Sequence, residues 1–245
     1  MSALTSVCGL AAKESTRSSA TERARETTSR SRRRGKVSEL RAFVTQLPVL
    51  GFEASLTSAR IPCNSIKRYP VVARWRNDVD YVAAGIFCFQ PYCVTGELEP
   101  PANPLICPQF CARFNDLDNI GITGRHYSGF IMLGIQVFNT PNEYHFFKDE
   151  CIEFNYRWLT ETLKIDPDDI TFVEDVWAGG GNLGPSVEYF VRGLEVGNMV
   201  FMQYKTYPDG SLDELDVKVI DVGIGLERIA WLNNGSATSY SDTFR

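Results

Sequence analysis

The run Val219-Ile220-Asp221-Val222-Gly223-Ile224-Gly225-Leu226-Glu227-Arg228-Ile229-Ala230-Trp231 constrains this chain more than any other stretch. A β-branched pair leads into an acid. Two glycines follow at a spacing of two, and an apolar, helix-favouring run with an arginine in its first turn then begins. These residue types predict a strand that ends on the Asp221 carboxylate, a glycine turn whose backbone approaches another group closely, and a helix N-terminus aimed at the same place. Helix N-termini attract anions through free N–H groups and the macrodipole, and the planar Arg228 guanidinium suits phosphate oxygens. One place would then pair a carboxylate for an ammonium group with a hole for a phosphate, as a pocket for an amino acid and a nucleotide requires. A strand–turn–helix joint with no ligand is the alternative that these residues alone leave open.

Charge is distributed unevenly around this motif. The chain has 245 residues, 44% of them hydrophobic, and a net charge of −5. Residues 1–36 hold nine Lys/Arg against three Asp/Glu, while the remainder holds sixteen against twenty-seven, a balance of −11. The globular part therefore lacks the broad basic footprint of a stand-alone nucleic-acid binder. Residues 1–36 are rich in Ser, Thr, Arg and Ala, cannot bury a core, and are expected to form a disordered basic tail. An Arg/Ser-rich start also resembles an organelle transit peptide, an alternative weakened by Glu14, Glu22 and Glu26. A cytoplasmic location is expected, with no membrane partner, since no apolar run nears the ~20 residues that span a bilayer. The seven cysteines include no Cys-x-x-Cys pair and only two histidines accompany them, so free thiols and no zinc site are expected.

From Val37 onward apolar patterning begins. Leu40, Phe43, Val44 and Leu47 recur at helical spacing. Tyr69–Trp75 and Tyr81–Gln90 read as strands around the charged turn Arg74–Asp78. Leu105–Phe114 and Ser128–Phe138 read as strands joined by the polar hairpin Asn115–Tyr127, and Phe147–Leu163 reads as a helix with Phe147, Cys151, Phe154 and Trp158 on one face. Ile170–Trp177, Ser186–Gly193, Asn198–Tyr204 and Val217–Asp221 follow as strands before the final helix. Many strands separated by turns, with few helices, predict an α+β fold: an antiparallel β-sheet flanked by helices.

Gly223-Ile224-Gly225-Leu226-Glu227-Arg228 resembles motif 3 of the class II aminoacyl-tRNA synthetases, and Asp221 together with Ile229-Ala230-Trp231-Leu232 resembles its alanyl version. Cys111-Ala112-Arg113-Phe114-Asn115-Asp116 through Gly124-Arg125-His126-Tyr127 resembles motif 2 of the same family, of archaeal type. Further resemblances are carried by Glu174–Glu188, with its Gly179-Gly180-Gly181 loop, by Asn198–Tyr204, and by Tyr69–Asp78 and Pro100–Leu105. The resemblance spans roughly residues 37–245 and implies a class II synthetase catalytic domain over that range. It implies an alanine–tRNA ligase activity that uses ATP with Mg²⁺, and alanine and tRNA as partners, the tRNA held weakly through this acidic segment. It implies catalytic roles for Arg113, Arg228 and Asp221. Alanine would be bound by Asp221, Gly223, Trp177 and Asn198, and ATP by Arg113, Arg125, His126, Phe130, Gly225 and Arg228. No spacing singles out Mg²⁺ ligands.

Three positions depart from the usual family pattern. Gly129 stands where an aromatic is usual, Ile131 where an acid is usual, and Val222 where a threonine follows the motif 3 acid. The family's recognition and editing regions would follow Arg245, so the sequence is expected to be either truncated or a stand-alone relative of the catalytic core, and Gly129, Ile131 and the missing regions leave a non-catalytic paralogue that binds a nucleotide, an amino acid or a partner as the alternative. Each of these residues also has a plainer reading. Phe130 and Trp177 could be core aromatics, Asn198 a buried structural amide, and the hairpin a solvated Asx-rich turn.

Overall fold

The computed structural model of the protein describes residues 63–243. The 1–36 tail and the helix expected around Leu40–Leu47 lie outside the described residues. Seven strands form one sheet: β1 (Asn64–Ser65), β2 (Leu105–Ala112), β3 (Gly129–Asn139), β4 (Ile170–Gly179), β5 (Asn182–Val191), β6 (Leu194–Thr206) and β7 (Leu212–Gly225). Their spatial order is β1-β2-β3-β7-β6-β5-β4. Every pairing is antiparallel except the two-residue contact of β1 with β2. Helix α1 (Lys148–Arg157) continues as a wider π turn over Trp158–Thr162. Helix α2 (Leu226–Asn234) follows β7 directly, and a short α3 (Tyr240–Thr243) comes after it.

Period-2 alternation sorts the strand residues onto two faces. Ile106, Leu133, Ile135, Val137, Met199, Phe201, Ile220, Val222 and Ile224 form one face, covered by Cys151, Phe154 and Trp158 of the α1 segment and by Leu226 and Ile229 of α2. The stripe read from Phe147–Leu163 is thus the face that packs. Asp149 and Glu150 in the first turn of α1 and Arg157 in its last complement the helix dipole. The opposite face carries Leu105, Cys107, Cys111, Phe138, Val200, Met202, Val217 and Val219 and is covered by Val82, Ile86, Phe89 and Val94.

That cover is where sequence and structure part. Tyr69–Trp75 and Tyr81–Gln90 are not strands. A single antiparallel bridge, Val72 to Tyr81, joins the two stretches, and Gly85–Cys88 is a 3₁₀ turn. A short, wholly apolar run lacks the alternation that distinguishes a strand from any other buried segment. Here Val82, Ile86 and Phe89 all face the sheet, so the run lies on the core without joining a ladder. The segment is pinned by buried polar groups. Gln90 donates from Nε2 to Asn182 Oδ1 at 2.6 Å and to Gly179 O at 3.1 Å, while Arg76 Nη1 reaches Gln90 Oε1 at 3.4 Å.

Two further expectations are corrected. Gly179-Gly180-Gly181 is not an open loop: Gly179 pairs with Asn182, and Gly180 and Gly181 (φ +57° and +82°) form a two-residue hairpin. Such a turn needs positive φ at both central residues, which is why glycine stands there. And β7 does not end at Asp221. It runs on through Gly225, with Gly223 paired to Gly134 on one side and Asn198 on the other.

Candidate active site

Where β2, β3, β6 and β7 end beside α2, a cleft opens on the face that carries Asp221. Its walls include Arg113, Arg125, His126, Phe130, Asn198, Gly223, Gly225 and Arg228. Eight of the ten residues singled out in the sequence therefore converge on it. Strand geometry explains the convergence. Antiparallel pairing sets Asn198 against Gly223 and Met132 against Gly225, and Phe130, Met132, Gly223 and Gly225 all alternate onto one face.

Arg113, Arg228 and His126 are held by neighbouring groups. Arg113 follows β2; its Nε donates to Ala83 O at 2.9 Å, and its guanidinium lies 5.2 Å from the centroid of the Phe130 ring. Arg228, in the first turn of α2, donates from Nη1 to both Glu195 O and Glu195 Oε2 at 2.8 Å. His126 Nδ1 lies 2.6 Å from Thr123 Oγ1. A side chain at Gly223 would crowd its neighbours, because a Cβ there would lie 3.0 Å from Met132 Sδ and 3.1 Å from Asn198 Oδ1.

Asp221 sits one pleat deeper, about 7 Å along the strand from Gly223, flanked by Gln136 and Val200. It is 5% exposed and does not line the cleft wall. Gln136 Nε2 donates to its Oδ1 at 2.7 Å. Burial pushes the carboxyl up to about 6, partly offset by that hydrogen bond. Trp177 also lies outside the cleft wall. It packs beside the cluster containing Val200 and Met202, with its ring against Gly179.

The sequence profile described as tRNA synthetases class II (A) matches residues 63–193. The chain belongs to the class II tRNA synthetases. It is 59% identical over 179 residues to an alanine–tRNA ligase of Methanocella arvoryzae, an alignment covering 73% of this chain and 20% of that protein. It is 50% identical over 183 residues to the one of Nitrosopumilus maritimus, covering 74% and 20%. The chain thus spans about a fifth of the length of these curated relatives. Among solved structures it resembles a putative aspartyl-tRNA synthetase from Leishmania major Friedlin, with TM-score 0.53 and 12% identity over 85% of this chain and 64% of that one. The expected α+β sheet architecture is that of the family.

For a class II synthetase the cleft also contains residues that the sequence reading passed over: Asp116, Tyr127, Met132, Glu195, Val196, Gly197 and Glu227. Glu227 bears on the missing acid at Ile131. Its Oε1 accepts from Ile131 N at 2.8 Å, so a carboxylate stands beside that position, supplied by α2 instead of β3. Burial raises its pKa, and its Oε2 is buried without a hydrogen-bond partner among the described residues. Phe110 answers the missing aromatic at Gly129, since its ring occupies the space a Cβ there would enter, with Cζ 2.7 Å away. The adjacency of Glu227 to Arg228 in motif 3 was the available signal for the first; nothing in the sequence marks Phe110. Among the described residues, the thiols of Cys88, Cys93, Cys107, Cys111 and Cys151 are free.

Proposed function

We propose that residues 37–245 are the catalytic core of an alanine–tRNA ligase, which joins alanine to ATP as alanyl-adenylate and then passes the alanyl group to tRNA. One observation carries this reading: a cleft lined by Arg113, Arg125 and Arg228 has Gly223 in its wall, and the buried Asp221 carboxylate lies two residues before Gly223 on the same face of β7. Cations and N–H groups suit a triphosphate, and the Asp221 carboxylate suits an ammonium. The names and identities of the archaeal relatives support alanine as the amino acid.

In the first step a carboxylate oxygen of alanine attacks the α-phosphorus of ATP. A C–O–P bond forms, the bond to the bridging oxygen breaks, and pyrophosphate leaves. The carboxylate is already ionised at neutral pH, so no general base is needed; rate comes from in-line placement and charge neutralisation. Arg113 holds the amino-acid carboxylate and the α-phosphate. Arg228, with Gly225 at the helix start, serves the distal phosphates. Arg125 and His126 close over the nucleotide, and adenine stacks on Phe130. Asp221 takes the ammonium with Asn198 beside it. Trp177 and the Gly180-Gly181 hairpin limit side-chain size.

Magnesium enters with ATP, and it favours phosphate oxygens, water and one or two carboxylates. Asp116 and Glu195 on the cleft wall fit that share. Among the described residues no three acids, thiols or imidazoles are placed to hold a metal by themselves, so the fit is to an ion borne by the triphosphate. No described helix is long and apolar enough to cross a membrane. A cytoplasmic location accords with that and with the free thiols.

The globular part carries −11 outside the basic tail. Phosphate contacts from Lys and Arg supply much of nucleic-acid affinity, so tRNA is held weakly here. In one preparation, alanyl-adenylate should form readily while tRNA charging stays slow at low micromolar tRNA. No adenylate would contradict the enzyme reading; efficient charging would contradict weak tRNA binding.

A further inference from the structure

The loop over the cleft is held from outside the hairpin that forms it. Residues 113–128 connect β2 to β3 and carry Arg125 and His126 into the cleft wall. Their backbone is gripped by the chain that follows α2. Helix α2 ends at Gly235 in the left-handed conformation (φ +63°), which turns the chain back toward the loop. Ser236 O accepts from Trp231 Nε1 and Ser236 Oγ donates to Asp242 Oδ1 at 2.8 Å, fixing the turn.

Three adjacent residues then meet the loop. The Tyr240 hydroxyl accepts from Gly121 N at 2.9 Å and donates to His126 O at 2.8 Å, bridging two loop residues five apart in sequence. Both Ser239 N, at 3.1 Å, and Ser239 Oγ donate to Gly124 O. Gly124 has φ +75°, and a Cβ there would lie 3.3 Å from Thr238. The Tyr127 and Tyr240 rings meet edge to face at 5.4 Å. Arg228 Nη2, from the other end of α2, makes a long contact of 3.5 Å with Arg125 O.

We infer that Ser239 and Tyr240 are positioning residues for the ATP-binding loop: residues 236–243 form a strap that fixes the backbone of Gly121, Gly124 and His126, and so sets Arg125 and His126 over the triphosphate end of the cleft. Neither residue lines the cleft. The strap acts through the loop. This assignment rests on the reading of the cleft as an ATP site.

Tyr240→Phe removes both hydroxyl bonds and keeps the ring against Tyr127; Ser239→Ala removes one more. Two measurements on the full chain test the strap. Hydrogen–deuterium exchange of the ligand-free chain reads the loop without reference to function. Loop amides between residues 120 and 127 should exchange about tenfold faster in the double variant, as expected for losing three hydrogen bonds to the loop backbone. In adenylate formation the KM for ATP should rise by roughly three- to tenfold while the KM for alanine stays within about twofold, a split that a general loss of folding would not give. Wild-type loop exchange in the double variant would overturn the strap, as would equal rises in both KM values with a lowered Tm. If the wild-type chain forms no adenylate, the proposed function fails instead, and the exchange measurement decides the strap alone.

Discussion

Asp221→Asn is expected to weaken alanine binding by about tenfold to a hundredfold and, in the same variant, to raise the melting temperature of the ligand-free chain at neutral pH. The first effect follows from removing a charged hydrogen bond in a buried site. The second follows from burial. The carboxyl ionises near 3.8 in a solvated chain and is pushed up to about 6 in the fold, chiefly by desolvation. Between those values the folded state holds the proton more tightly than the unfolded state does, so stability falls as pH rises from about 4 to about 6 and is level above. The accumulated cost is roughly 3 kcal/mol, which Asn escapes while Oδ1 can still accept from Gln136. For a domain of this size that is roughly 6–12 °C in Tm, vanishing near pH 4. Thermal melts at pH 4 and pH 7.5, with alanine titrations by calorimetry, check both halves. Alanine affinity of the unsubstituted chain should fall as pH drops through 6, where Asp221 takes up its proton and loses the ammonium. Unchanged alanine binding by the Asn variant would remove Asp221 from the site.

Arg113→Lys should lower the rate of adenylate formation by about a hundredfold or more. The native guanidinium does two things at once: Nε is tied to Ala83 O, and the plane lies over Phe130 within 5.2 Å. A planar fork held in this way keeps its outer N–H groups fixed for phosphate and carboxylate oxygens. Lysine offers a point charge on a flexible stem and cannot keep both contacts and the fork. Single-turnover rates separate this loss of placement from a loss of ATP binding. A Lys variant that reacts like the native chain would show that Arg113 contributes charge alone.

The sheet was legible where residues alternate, and so was most of the cleft. The β7 run writes its two faces in the sequence over Leu215–Val219, and Gly223 and Gly225 fall on the same face as Asp221 because they follow it at even spacing. The segment around Gly85–Cys88 was not legible, because a run that is apolar throughout carries no period. Extension of β7 through Gly225 was missed because paired glycines read as a turn; Gly223 gives clearance to Met132 and Asn198. Gly179-Gly180-Gly181 was read as a loop because consecutive glycines carry no strand signal, whereas Gly179 pairs in the ladder and only Gly180 and Gly181 turn. Glu227 and Phe110 escaped because each compensates for a residue on another strand or element, and such pairings are set by register. The depth of Asp221 and its contact with Gln136 likewise depend on the pairing of β3 with β7.

The most direct test of the central claim is exchange of labelled pyrophosphate into ATP, catalysed by this chain with Mg²⁺ and each of alanine, glycine, serine and valine in turn. Exchange should depend on alanine, fall away for valine, and be lost when Arg113 and Asp221 are both replaced. No exchange with any of the four, or exchange that persists in the doubly substituted chain, would contradict the assignment of this cleft as an alanine-activating site.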